Sequence, residues 1–318
     1  MRALVGCYAA PMFHRLKRVH AAFAVLMGLG GVLSAGCGLQ DAAGERLVVA
    51  HRAAAGRWPE NSRVAVQGTL AAGYPAFEVD IVLTQDGVPV LAHDPWVSEK
   101  LCTTTEGAPL EQRVLIKDLT LDALRAGYVC GGVPDPDNPD AEVVPGSHMT
   151  LDELIAELSS APTVAVYLDL KYGPLTLPIE DFRQQILSRW RAARLPNPLY
   201  VEATLPEGVR AFADEPDVHA LLGWPRIEPG SSGVGEVLGT EFAQTFGFDD
   251  PSDAARDLGA EGFTAPYQVL RRRSAEAAYA DGLTIVLYTL NETSLLDHYC
   301  GWPVDQLITD YPERAPCL

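Results

Sequence analysis

From Leu47 onward the chain alternates short apolar runs of strand length with segments whose apolar residues recur at helical spacing. Strands are expected at 47–51, 76–81, 88–93, 163–170, 199–203, 219–224, 262–266 and 284–290. Helices are expected near 63–72, 151–160, 179–194, 206–214, 252–259, 272–281 and 292–300. Thr150, with Glu153 three places on, has the form of a capping box, and Ser252 and Asn291 are expected to cap the helices they precede. Eight strands separated by helices predict a parallel sheet buried on both faces. At this length the α/β architecture that fits best is a (β/α)8 TIM barrel, with a doubly wound open sheet as the alternative.

One stretch breaks the rhythm. Residues 95–147 follow the third expected strand and hold a helix near 118–127 and the loop CGGVPDPDNPDAEVVPG at 130–146. Proline, aspartate and glycine at that density predict irregular structure. A long ordered loop after a barrel strand is expected to cover the active-site mouth.

The first 36 residues are expected to be a leader outside the fold. Arg15, Lys17 and Arg18 precede the apolar run 21–33, and small residues then lead to Cys37. That run is shorter than the ~20 residues a spanning helix needs. The small residues before Cys37 resemble a bacterial lipoprotein signal, with Cys37 the lipidated residue. The expectation is an exported, lipid-anchored protein, with plain secretion as the alternative. Residues 37–46 would be a short linker and 47–318 the barrel. Loss of 1–36 removes four basic residues and takes the formal charge from −18 to −22. The acidic formal charge argues against a nucleic-acid partner and against electrostatic docking on anionic lipid, which leaves the anchor as the only membrane contact expected. The sequence does not give the oligomeric state.

Export places Cys102, Cys130, Cys300 and Cys317 in an oxidising compartment. The local pairing, Cys102–Cys130 and Cys300–Cys317, closes the shortest loops and is the one expected.

The chemistry concentrates between Leu47 and Asp94. His51 follows LVVA and His93 follows VPVLA, and between them Glu78 and Asp80 stand two residues apart on one strand, facing the same way. Carboxylates on a strand buried on both faces need a compensating charge, for which a divalent cation is the simplest source. Asp169, near the end of the 163–170 strand, is a third candidate ligand. Three carboxylates make a hard-oxygen site suited to Mg2+ or Ca2+. His51 and His93 are candidates for general acid and base, with the assignment between them open. Arg52 suits a phosphate oxygen. Lys171 adds charge at the same rim, and its position two residues after Asp169 also fits a salt bridge to that carboxylate. Glu60 and Asn61 open the helix after the first strand, and capping is the role expected of Asn61.

The motifs HRAAAGRWPENS (51–62), EVDIVLTQDGVPVLAHD (78–94), TLDEL (150–154), YLDLK (167–171), LYTLN (287–291) and ITDYPE (308–313) resemble, in order and spacing, the glycerophosphodiester phosphodiesterase family. The resemblance covers roughly 47–314. It implies a TIM barrel with a divalent metal that hydrolyses glycerophosphodiesters, a small-molecule substrate, to glycerol 3-phosphate and an alcohol. It implies that His51 and His93 are the catalytic pair, that Glu78 and Asp80 are metal ligands, that Arg52 contacts phosphate and that Glu60 lies near the metal. The sequence departs from the family at two places. Ala53 stands where glycine is usual, and would be strained by roughly 1 kcal/mol if that backbone requires positive φ. Asp169 stands where a glutamate ligand is usual, and Glu202 on the next strand is a possible accessory ligand. The alternatives are a related lipase acting on intact phospholipid and a non-catalytic lipoprotein that keeps the barrel as a binding module.

Overall fold

The computed structural model describes residues 47–225 and 250–317. The leader, Cys37 and the linker expected at 37–46 lie outside the described residues.

Eight strands of the described residues form a closed parallel barrel. In chain order they are β1 (Leu47–Ala50), β2 (Ala76–Leu83), β6 (Ala165–Leu170), β7 (Leu199–Ala203), β8 (His219–Gly223), β9 (Gly262–Pro266), β10 (Thr284–Tyr288) and β11 (Gln306–Thr309). Each pairs in parallel with the next, and β11 closes the ring against β1, Leu47 opposite Gln306 and Ala50 opposite Thr309. Two helices show why the surrounding elements start and stop where they do. In α1 (Arg63–Ala72) the Ser62 hydroxyl accepts from the Ala65 amide at 3.1 Å, and Gly73 at φ 75° ends the helix. In α3 (Leu151–Leu158) Thr150 and Glu153 make the expected capping box.

Three sequence expectations change. The run 88–93 contributes not a barrel strand but β3 (Pro89–Leu91), antiparallel to β2. The turn before it is too short for anything else: a parallel crossover needs a dozen or more residues. Here Thr84–Gly87 turns the chain directly, with the Gly87 amide donating to the Thr84 carbonyl at 2.9 Å. The eighth barrel strand is β11, which the strand pattern did not predict. Finally, neither expected cap is one. Asp250 caps the helix Pro251–Leu258, its carboxylate accepting from the Ser252 amide at 2.8 Å. The helix Thr293–Cys300 begins after Glu292, and Asn291 is used elsewhere.

The insertion follows β3 as expected. It holds a two-stranded antiparallel sheet of β4 (Cys102–Thr104) and β5 (Tyr128–Cys130), and a short helix, α2 (Leu121–Gly127). Cys102 and Cys130 are paired partners across that sheet and are joined by a disulfide; a second disulfide joins Cys300 to Cys317. Inside the barrel, Val49, Ala76, Ala165, Tyr167, Leu221, Val286 and Ile308 form an apolar plug. Two residues beyond Ala76, and again beyond Tyr167, the inward face turns acidic.

Candidate active site

Register sets the acidic layer. Asp80 on β2 is opposite Asp169 on β6, and Asp169 is opposite Glu202 on β7. Glu78, two residues earlier on β2, shares Asp80's face. Oxygen atoms of Glu78, Asp80 and Asp169 lie within 4.8 Å of one another. Glu202 fits beside them because β8 offers Gly223 there: a Cβ at that position would lie 2.7 Å from Glu202 Oε1. The strand alternation that predicted Glu78 and Asp80 as a pair therefore holds, and Asp169 joins them across the sheet.

The two lysine and arginine candidates bind into this layer. Lys171 Nζ lies 2.8 Å from Asp80 and 2.5 Å from Asp169, so the salt bridge expected of it is present and extends to a second carboxylate. Arg52 donates to Glu60 at 2.5 Å, and its Nε lies 3.5 Å from Asp80. Burial pushes Glu78 upward, and Asp80 and Asp169 push the same way, so its carboxyl sits well above the usual range. Burial acts upward on Asp80 as well, but Lys171, His93 and Arg52 outweigh it and hold Asp80 well below. Glu202 is pushed up to about 8 by burial and by Asp169.

The loop after β1 is bent to serve the layer. Arg52, Ala53 and Ala54 all have positive φ, at 48°, 61° and 67°. This turns the Arg52 amide inward, where it donates to Glu78 Oε2 at 2.9 Å. The strain expected at Ala53 is thus real, and the loop is fixed around it: the Thr69 hydroxyl donates to the Ala53 carbonyl at 2.9 Å, and the Gly56 amide to the Asp310 carbonyl at 3.1 Å.

His51 Nδ1 lies 2.7 Å from Asp310 Oδ1, while Nε2 is 3.9 Å from Glu78 Oε2. A carboxylate can only accept, so Nδ1 carries the proton of this bond and Nε2 is the nitrogen turned toward the acidic layer. His51 in turn helps hold Asp310 below the usual carboxylate range against its burial. His93 Nδ1 is 3.2 Å from Asp94, on the more open side of the site.

Three residues matter that the sequence reading missed or misassigned. Asp310 follows β11 and orients His51. Asn291 donates to Asp310 Oδ2 at 2.6 Å, in place of the capping role expected of it. Asn61 does not cap α1 either. At φ 53° it donates to Asp80 Oδ2 at 2.6 Å and accepts from the Asp80 amide at 2.9 Å, clamping that carboxylate.

The donor set suits a hard divalent cation. Three carboxylates converge, and Glu78 Oε1 is buried with no hydrogen-bond donor in reach among the described residues. Beside this layer a cavity of about 250 Å3 runs from Arg52, Glu60 and His93 out to the insertion.

Residues 51–180 match the glycerophosphoryl diester phosphodiesterase family. "Probable glycerophosphodiester phosphodiesterase 1" of Mycobacterium tuberculosis is 35% identical over 235 residues, 62% of this chain and 81% of that protein. A solved Silicibacter pomeroyi structure bearing the same family designation has a TM-score of 0.73 at 23% identity, covering 85% of this chain and 92% of that one. An Oleispira antarctica phosphodiesterase, solved in complex with the product sn-glycerol-3-phosphate, has a TM-score of 0.61 at 20% identity, covering 84% and 94%. The chain spans about half the length, 54%, of two further curated relatives from Mycobacterium tuberculosis.

Proposed function

Because the chain belongs to the glycerophosphoryl diester phosphodiesterase family, we propose that it hydrolyses glycerophosphodiesters to sn-glycerol 3-phosphate and an alcohol, using a divalent cation and the His51–His93 pair. The observation that carries this reading is the convergence of buried Glu78 and Asp80 with half-buried Asp169, flanked by Arg52, Lys171 and a histidine whose Nδ1 is tied to Asp310.

Glu78, Asp80 and Asp169 would hold Mg2+ or Ca2+, with Glu202 behind them. The bound cation supplies Lewis acidity that offsets charge on the phosphoryl oxygens. Asn61 keeps Asp80 aimed into the layer. Arg52 and Lys171 sit where a phosphodiester oxygen would need a positive partner. His51, with Nδ1 tied to Asp310, presents Nε2 as general base toward the oxygen nucleophile. His93 lies on the cavity wall, where the departing alcohol would leave, and serves as the acid that protonates it.

The test is release of glycerol 3-phosphate from glycerophosphoethanolamine and glycerophosphocholine in EDTA, then with Mg2+ or Ca2+ restored. Metal-restored release is expected, and a His51→Ala variant should lose at least about a hundredfold in kcat. A His51→Ala enzyme within tenfold of wild type would sink its assigned role.

We also propose that the protein is exported and anchored through a lipid on Cys37. The two disulfides support an oxidising compartment. Cys37→Ser should shift the protein from the membrane to the soluble fraction. Retention at the membrane would refute the anchor.

A further inference from the structure

The cavity beside the metal layer has two unlike ends. At the inner end Arg52 is matched by Glu60. At the outer end the insertion contributes Asp135, Asp137, Glu142 and Lys100, and the barrel contributes Asp94. Lys100 is paired with Asp137 at 3.4 Å, and Asp94 faces His93. Among the described residues neither Asp135 nor Glu142 has a paired cation, but Glu142 is exposed. Asp135 is half-buried, and its two oxygens accept from the Asp137 amide at 2.9 Å and from Asn138 Nδ2 at 3.0 Å. Asn138 is itself buried and accepts from the Tyr311 hydroxyl, so this carboxylate is fixed in place and not a mobile surface charge.

A second observation points to a ligand at the same end. His148 forms part of the cavity wall and is 7% exposed. Among the described residues only Cys130 Sγ, at 3.8 and 4.0 Å, lies in hydrogen-bond range of its ring nitrogens. A disulfide sulfur is a weak partner, so a nearly buried imidazole is left with hydrogen-bonding capacity and only the cavity to use it on. Burial and the neighbouring Arg125 hold its pKa down at about 4, so the ring is uncharged at neutral pH and does not repel a cation.

Among the described residues the cavity has one aromatic wall, Trp96, and its ring already carries the Arg113 guanidinium 4.0 Å from the centroid. A cation stacked on that ring competes with any second cation for the same electrons. The outer end therefore offers carboxylate and imidazole acceptors and, among the described residues, no free aromatic cage for a quaternary ammonium.

We propose that this cavity is the alcohol subsite and that it selects substrates whose alcohol carries a primary ammonium, with Asp135 as counter-charge and His148 as hydrogen-bond acceptor. The proposal rests on the reading of the chain as a glycerophosphodiesterase and adds the chemistry of the leaving group. Phosphate recognition at one end and ammonium recognition at the other suit a zwitterionic diester. They also explain how a protein of formal charge −18 can favour a phosphate ester.

The experiment compares kcat/KM for glycerophosphoethanolamine, glycerophosphocholine and glycerophosphoglycerol under saturating Mg2+ or Ca2+, in wild type and in Asp135→Asn and Asp135→Glu. Wild type should prefer the ethanolamine ester over both others by roughly tenfold, the scale of one charge-assisted hydrogen bond. In Asp135→Asn that preference should collapse, and in Asp135→Glu it should persist in part. A ratio of rates does not depend on the fraction of folded enzyme, so a poorly folding variant still reports. Equal turnover of the three esters, a preference for choline, or an unchanged ratio in Asp135→Asn would overturn the subsite and leave the diesterase reading standing. No turnover of any ester, with either metal, would overturn the diesterase reading and this proposal with it.

Discussion

Acid should weaken this fold through His148, and the size of the effect can be worked out. The ring is buried beside Arg125, and its pKa falls from 6.5 to about 4. In the unfolded chain the same ring takes up a proton as pH drops through 6.5. In the folded chain it does not do so until about pH 4. Between those values the unfolded state binds more protons, so stability falls as pH falls. The contribution is complete above pH 6.5 and is lost by about pH 4. Its ceiling is about 3 kcal/mol, of which about 2 kcal/mol disappears between about pH 7 and pH 5. Glu202 acts with the opposite sign. Its raised pKa, about 8 against 4.5, keeps a proton in the folded state that the unfolded state has released, so acidification through that window favours the fold. A wild-type pH curve alone would mix the two effects. The decisive comparison is urea unfolding of wild type and His148→Gln, followed by tryptophan fluorescence, at neutral and mildly acid pH. Wild type should lose about 2 kcal/mol more than the variant on acidification. Parallel losses in the two proteins would refute the reasoning.

Three further outcomes are expected. Asp310→Asn removes the charge that holds His51 Nδ1–H and should lower kcat by at least about tenfold while KM changes little; kinetics with an unchanged kcat would remove Asp310 from the site. Gly223→Ala places a Cβ 2.7 Å from Glu202 Oε1, inside a packed layer, and should destabilise by roughly 1–3 kcal/mol in denaturant melts. Cys300→Ser opens a loop between residues 17 apart and should cost about 3 kcal/mol of stability with little change in kcat/KM, since the bridge lies outside the residues assigned to the chemistry.

Much of the barrel was legible because each strand-and-helix unit carries its own signal. β7 and β9 coincide with the expected 199–203 and 262–266, and α1 with 63–72, because apolar periodicity, a capping serine and a terminal glycine agree there. The insertion was legible as an interruption, by composition, but its internal sheet was not. β4 and β5 are three residues each, below the length at which alternation can be read. At the site, Glu78 and Asp80 were legible as a pair because i and i+2 on a strand share a face regardless of what surrounds them. Asn61 was misread for a local reason. A polar residue just before a helix usually caps it, but the next residue, Ser62, does so here, and Asn61 adopts positive φ and turns to Asp80.

The two largest misses have one cause. With 88–93 read as a barrel strand, the sequence pattern already supplies eight strands, and 306–309 is left without a place in the ring. Yet Thr84–Gly87 is too short a connection for a parallel crossover, so that run had to be a hairpin strand and the barrel was one strand short. The remaining apolar run near the C-terminus, QLIT, is brief and flanked by polar residues, but closure of the ring demands a strand there, next to β1. Once β11 is placed, the residue directly after it emerges at the C-terminal face of the barrel beside the residue directly after β1, as the geometry of parallel barrels requires. Those residues are Asp310 and His51, separated by 259 positions in the chain and by 2.7 Å in the structure. The partner of His51 is thus invisible to local pattern but follows from topology, and a turn of four residues is enough to show that seven barrel strands are not the whole ring.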